Sequence, residues 1–119
     1  MNAVDASRVL TVWWDGVADG PTNMAADECL AAEAERIGGL ALRLYGWSEQ
    51  TVSLGGFQSL AAVHRVGELA GVAVVRRPSG GGAIVHGTDL TYAAAVPKGH
   101  RWGGDPQALY DALHTAMTE

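Results

Sequence analysis

The sequence predicts an α/β (α+β) domain, a β-sheet with helices packed on it. Three observations predict it. Runs of β-branched and aromatic residues alternate with runs of helical apolar spacing. The 119 residues are 48% hydrophobic and 18% charged, a globular balance rather than a disordered one. No internal repeat, low-complexity tract or linker divides the chain, so residues 1–119 read as part of a single domain.

The elements follow in order. Val9 to Trp14 is a β-branched and aromatic strand, and Asp15 to Pro21 a loop. A helix follows, with Thr22 or Asn23 as N-cap and Asp27 and Glu28 in its first turns, where the helix dipole favours negative charge. It runs to Ile37, and Gly38-Gly39 ends it. Leu40 to Trp47 alternates as a strand, and Gln50 to Leu54 forms another before the break at Gly55-Gly56. Leu60, Val63, Val66 and Leu69 have the spacing of one helix from Leu60 to Leu69. Gly71 to Val75 is a short buried strand, and Arg76 to Gly82 a loop. Ala83 to His86 and Leu90 to Val96 read as a hairpin around Gly87-Thr88-Asp89. Asp105 caps a last helix with Pro106 in its first position, and Leu109, Leu113 and Met117 form its apolar stripe.

The bulk properties exclude several classes. A formal net charge of -5 argues against a nucleic-acid surface. No basic segment followed by an apolar run marks a secretory signal, and no stretch reaches the ~20 apolar residues of a membrane span. Cys29 is the single cysteine, so neither an internal disulfide nor a thiol-rich metal site can form. A cytoplasmic protein without membrane association is the expectation.

Residues 76–82, Arg-Arg-Pro-Ser-Gly-Gly-Gly, are the most unusual stretch. Three bare glycines let a ligand lie directly on the backbone, and their N–H groups can converge on a phosphate or carboxylate. Arg76 and Arg77 at the entrance could add charge-assisted hydrogen bonds. No Lys-Ser/Thr pair follows, so this is not a P-loop. Val85 occupies the place of a third dinucleotide-fingerprint glycine, and the loop leads into a strand rather than a helix. Taken alone, a triple glycine is as readily a strand connection that needs special torsions.

The neighbours carry a resemblance. Arg76-Arg77-Pro78-Ser79-Gly80-Gly81-Gly82-Ala83-Ile84-Val85-His86, then Asp89-Leu90-Thr91-Tyr92, resembles the signature of the lipoate–protein ligase A and octanoyltransferase family. Asn23-Met24-Ala25-Ala26-Asp27-Glu28 is similar to that family's first-helix block. Tyr45-Gly46-Trp47 with Val52-Ser53-Leu54-Gly55 and Phe57-Gln58 is similar to its second. The resemblance runs from about Trp13 onward, and biotin protein ligases share the fold.

What the resemblance implies is specific. The fold would be the mixed sheet with helices of the biotinyl/lipoyl ligase catalytic domain. Arg77 and Gly80 to Gly82 would lie along an acyl chain or acyl-adenylate. Ser79 and Ala83 belong to the same loop, and Arg76 would face either the phosphate or the interior. His86 would border the acyl pocket, as against a structural histidine or, least of all, a metal ligand. Tyr45 would flank the slot with Trp47, unless both are ordinary core aromatics. Leu54 and Gly55, with Gln58, would shape the tunnel mouth. Asn23 and Asp27 are expected to cap and to bond within the domain.

The implied activity is transfer of a lipoyl or octanoyl group to the lysine of lipoyl-carrier domains, such as E2 subunits or the glycine cleavage H protein. A ligase would use ATP and Mg²⁺. A transferase would take octanoate from acyl carrier protein through a cysteine thioester. Neither would hold a permanent cofactor. Cys29 sits in the first helix, far from where the family carries its nucleophile, and reads as a buried structural cysteine. Lys98 sits in a solvated Pro-Lys-Gly turn and matches no family motif. The chain therefore reads as the N-terminal part of such a domain, without the family's catalytic lysine or cysteine and with a strand edge and last-helix stripe left unpartnered. The alternative is a non-catalytic remnant that only binds acyl or nucleotide ligand.

Overall fold

The computed structural model describes residues 10–118. Its elements are β1 (Leu10–Ala18), α1 (Gly20–Ile37), β2 (Leu40–Trp47), β3 (Thr51–Leu54), α2 (Leu60–His64), β4 (Ala73–Arg76), β5 (Ile84–His86), β6 (Thr91–Ala95) and α3 (Pro106–Thr118), with a 3-10 turn at Gly67–Leu69. They form two three-stranded mixed sheets, ordered β1-β2-β6 and β4-β3-β5. β2 pairs parallel with β1 and antiparallel with β6; β3 pairs parallel with β4 and antiparallel with β5. Helix α1 packs on β2, β6 and β4, and so spans both sheets.

Local chemistry sets most boundaries. Strand β1 runs past the expected loop to Ala18, because Gly16 adopts φ 66° and takes up an irregularity between Trp14 and Val17. Val9, assigned to this strand from sequence, lies outside the described residues. The expected N-cap is corrected. Asp19, not Thr22 or Asn23, caps α1 by accepting the Thr22 N–H at 2.9 Å, and Pro21 sits in the first turn. Asp27 and Glu28 thus lie beyond the first turn, and no acidic residue occupies it. Gly38 ends the helix in the left-handed region, as its sequence position indicates.

Two further expectations change. The helix expected over Leu60 to Leu69 breaks after His64, because Val66 is extended and Gly67 has poor helix propensity. Val63 and Leu69 still pack on Val52 and Leu54 of β3. The expected hairpin does not form. β5 pairs with β3 and β6 with β2, so Gly87–Leu90 carries the chain from one sheet to the other.

The core lies under α1 and α2. Met24 packs with Tyr45 and Trp47, and Leu30 and Ala34 pack with Ala41. Within it Arg43 is buried, with 4% of its surface exposed. It donates to the Asp15 carboxylate, to Asp27 Oδ1 at 2.9 Å and to Asn23 Oδ1 at 2.8 Å. Asn23 Nδ2 in turn donates to the carbonyls of Ala18 and Gly46. Asn23 and Asp27 thus bond within the domain as expected, although neither caps the helix.

Candidate functional site

A groove of about 860 Å³ runs between α1, β6 and the glycine loop. Met24, Leu30 and Ala31 line it from the helix and Ala93, Ala94 and Ala95 from β6. Three consecutive alanines keep that wall low. The loop from Arg77 to Ala83 closes one side, and Tyr45, Trp47 and His86 supply aromatic surface. The volume falls within the about 300–1,000 Å³ of small-molecule sites.

The loop is held by its own arginines. Arg77 Nη1 donates to Ser53 O at 2.8 Å and Ser53 Oγ at 2.7 Å; Nη2 donates to the carbonyls of Gly80 at 3.1 Å and Gly82 at 2.7 Å. Arg76 Nη1 donates to the carbonyls of Gly55, Gly56 and Gln58. Both guanidinium groups therefore clamp backbone, Arg76 taking the inward of its two expected directions and Arg77 holding the strip it was expected to share with a ligand. Backbone bonds from Gly56 N to Ser79 O and from Arg77 N to Leu54 O, each 2.8 Å, tie the loop to the end of β3. The N–H groups of Gly80, Gly81 and Gly82 donate to no protein acceptor among the described residues.

His86, with 4% of its surface exposed, lines the groove. Its ring stacks on Trp47, centroids 4.0 Å apart and planes 14° from parallel. Nε2 lies 2.7 Å from Ser53 Oγ and Nδ1 2.8 Å from Asp89 Oδ2. Burial opposes ionisation of Asp89, but hydrogen bonds from His86, the Gly87 N–H and Thr91 outweigh it and hold the carboxyl at about 2. Tyr45 donates to Asp27 Oδ2 at 2.7 Å beneath the Arg43 guanidinium, and burial together with that bond raises its phenol above the usual range.

Of the residues singled out from sequence, Tyr45, Arg77, Ser79, Gly80, Gly81, Gly82, Ala83 and His86 come together around the groove. Arg76, Leu54 and Gly55 do not line it. Leu54 faces a separate apolar cavity of about 220 Å³ under α2, which Ala83 borders from the other side. Gly55 packs against Gly81 instead. Cys29, expected to be buried, is exposed and does not line the groove. Lys98 is exposed as expected, and its backbone N–H donates to Glu35 at 2.6 Å, away from the groove. Ser53, Asp89 and Thr91 were given no role from sequence, although all three stand inside the resembling blocks. Among the described residues no three His, Cys, Asp or Glu side chains gather as a metal site would need. No described helix is long and apolar enough to cross a membrane.

Comparison with known proteins places this geometry in a family. Residues 19–119 match the model of the lipoyl protein ligase A/B catalytic domain. The chain belongs to that family. Within it, the chain is similar to the octanoyltransferase LipM of Carboxydothermus hydrogenoformans, 46% identical over 77 residues that cover 62% of this chain and 29% of the relative. It is similar to LipM of Macrococcus caseolyticus, 34% identical over 102 residues, 82% of this chain and 37% of the relative. LipM of Bacillus subtilis is 36% identical over 92 residues, 71% of this chain and 32% of the relative. The chain thus spans about a third of the length of the curated relatives it matches. The fold is also that of a solved candidate lipoate protein ligase from T. acidophilum, with TM-score 0.52, 23% identity, and coverage of 74% of this chain and 37% of that one. The mixed two-sheet arrangement of this lipoyl ligase A/B chain is therefore the lipoate-ligase-like fold expected from sequence.

Proposed function

We propose that the groove binds a medium-length acyl group, octanoyl or lipoyl, for transfer to the lysine of a lipoyl-carrier domain, with octanoyl carried by acyl carrier protein as the donor. One observation carries the reading. Gly80 and Gly82 line the groove, have ordinary backbone torsions, and have nothing within 4 Å of the position where a Cβ would stand. The fold itself does not require bare backbone there. A ligand lying on the strip does, and the N–H groups of Gly80 to Gly82 are available to its carbonyl or phosphate oxygen. The apolar wall of Leu30, Ala31 and Ala93 to Ala95 suits an alkyl chain.

The names of the LipM relatives favour octanoyl over other acyl groups and a transferase over a ligase. Cys29 and Lys98 stand outside the groove, and the residues that line it supply binding and orientation. The test is Gly82→Val. It should leave the melting temperature within a few degrees, yet weaken octanoate binding by at least tenfold in isothermal titration, a loss of about 1.4 kcal/mol. Octanoyl transfer from acyl carrier protein to a carrier domain is then measured on the same pair. Unchanged affinity in the valine variant would refute the reading.

A further inference from the structure

A directed chain of hydrogen bonds leads from the glycine loop to a surface carboxylate. An arginine N–H can only donate, so Ser53 Oγ is an acceptor toward Arg77 Nη1. The single Ser53 hydroxyl proton is then left for its other neighbour, His86 Nε2, at 2.7 Å. Nε2 must accept, which in a neutral imidazole puts the ring proton on Nδ1. Nδ1 faces Asp89 Oδ2, and a carboxylate only accepts. A second chain reaches the same oxygen from the opposite side. The Trp47 indole N–H donates to Thr91 Oγ1 at 2.9 Å, and the Thr91 hydroxyl donates to Asp89 Oδ2 at 2.9 Å. The Gly87 N–H occupies Asp89 Oδ1 at 2.8 Å.

Of the two neutral tautomers, only this one gives every proton of the chain an acceptor. With the ring proton on Nε2, the serine proton would lose its acceptor and a bare Nδ1 lone pair would face the carboxylate. Ser53 is 0% exposed, so water cannot repair the fault. The Trp47 stack holds the ring plane, and a half-turn that keeps that plane would put ring carbons opposite Ser53 Oγ and Asp89 Oδ2. The same Arg77 guanidinium whose Nη1 joins this chain uses Nη2 to hold the Gly80 and Gly82 carbonyls.

We propose that Asp89 is a positioning residue: it fixes the His86 tautomer and, through Ser53, the grip of Arg77 on the glycine strip. The effect on ligand affinity rests on the acyl-groove reading above; the proton direction and the loop rigidity do not. Asp89 touches no groove ligand in this scheme and acts only through its neighbours, much as an aspartate holds an imidazole in the working tautomer of a serine protease.

The test uses protein labelled with 15N at histidine and at the backbone amides. In the unaltered chain, His86 should carry its proton on Nδ1, read from long-range nitrogen–proton correlations. An Nε2 proton there would overturn the proposal without any variant. Asp89→Asn offers an amide N–H to Nδ1 and should move the proton to Nε2. It should also speed amide exchange at Gly80 to Gly82 and weaken octanoate binding about tenfold, the worth of one lost hydrogen bond. Ser53→Ala should speed the same exchange, and Asp89→Asn should add nothing further in the Ser53→Ala background. Additive effects in the double variant would overturn the proposal, because they would show Asp89 acting by another route. Thr88→Ala, one residue away, should change none of these readouts. If the unaltered chain fails to bind octanoate, the groove reading falls while tautomer and exchange still decide the positioning role.

Discussion

A Cβ added to Gly55 would stand 1.9 Å from the carbonyl oxygen of Gly81. Real Cβ atoms do not approach backbone so closely, so the end of β3 and the glycine strip touch backbone to backbone. Neither side can yield cheaply, since Arg76 holds the Gly55 carbonyl and Arg77 the carbonyls on either side of Gly81. Gly55→Ala should therefore destabilise the fold by about 1–3 kcal/mol, the usual cost of overpacking, or displace the strip. Urea unfolding measures the first, and amide exchange at Gly80 to Gly82 the second. An alanine variant unchanged in both would mean that the contact is not made in solution.

The two arginines before the strip make a sharper prediction. If Arg77 served as a positive charge for a phosphate, Arg77→Lys would preserve its role. The structure has the four N–H groups of Nη1 and Nη2 directed at four backbone or hydroxyl oxygens in a planar fork. A lysine has three donors and no fork. Arg77→Lys should thus behave nearly as badly as Arg77→Ala, with strip amides exchanging faster in both and octanoate affinity falling at least tenfold, about 1.4 kcal/mol. Retained affinity in the lysine variant would restore the charge-based role.

Much of this arrangement is legible in the sequence, and the exceptions share a cause. The alternation in Leu40–Trp47 and the glycine after Ile37 encode their elements locally, so β2 and the end of α1 stand where the sequence puts them. The glycine strip is legible because nothing else in the chain removes so many side chains together. Partner choice is not local. Ile84–His86 and Thr91–Ala95 look like one hairpin because the residues between them suit a turn, yet each strand finds its partner in a different sheet. The roles of Ser53 and Asp89 follow from that pairing, since register sets His86 opposite Thr51 and brings its ring to Ser53. The N-cap is ambiguous in the sequence for a smaller reason. Asp19, Thr22 and Asn23 are all good caps, and the tertiary demand on Asn23 from Arg43 and the Ala18 and Gly46 carbonyls removes it from that role.

Arg43 should be the residue whose loss costs most. Its guanidinium joins β2 to Asp27 and Asn23 on α1 and to Asp15 on β1, and it lies 3.8 Å over the Tyr45 ring. Truncation leaves Asp27, itself largely buried, without its cation. Arg43→Ala should cost about 3–5 kcal/mol, typical for breaking one side of a buried ion pair. Urea unfolding of the variant measures it. A cost below about 1 kcal/mol would place the pair in the weak class of solvent-exposed bridges.

Acid should loosen the groove in a defined window. The folded-state pKa of Asp89 is about 2, against an ordinary 3.8, so the fold favours its ionised form. A depressed carboxylate stabilises fully above its unfolded value, and that contribution is lost as pH falls through the folded one. Asp89 therefore contributes above about pH 3.8 and loses its contribution progressively toward pH 2. Its side chain is 39% exposed, so solvent screening keeps the energy modest. The place of the effect is more telling than its size. Protonated Asp89 can no longer accept from His86, the Gly87 N–H and Thr91 together, so amides of Gly87 and of the Gly80 to Gly82 strip should lose exchange protection before those of β2. Asp89→Asn should abolish that difference between pH 4 and pH 2. A strip and a β2 that loosen together in the unaltered chain would place the acid-sensitive group elsewhere.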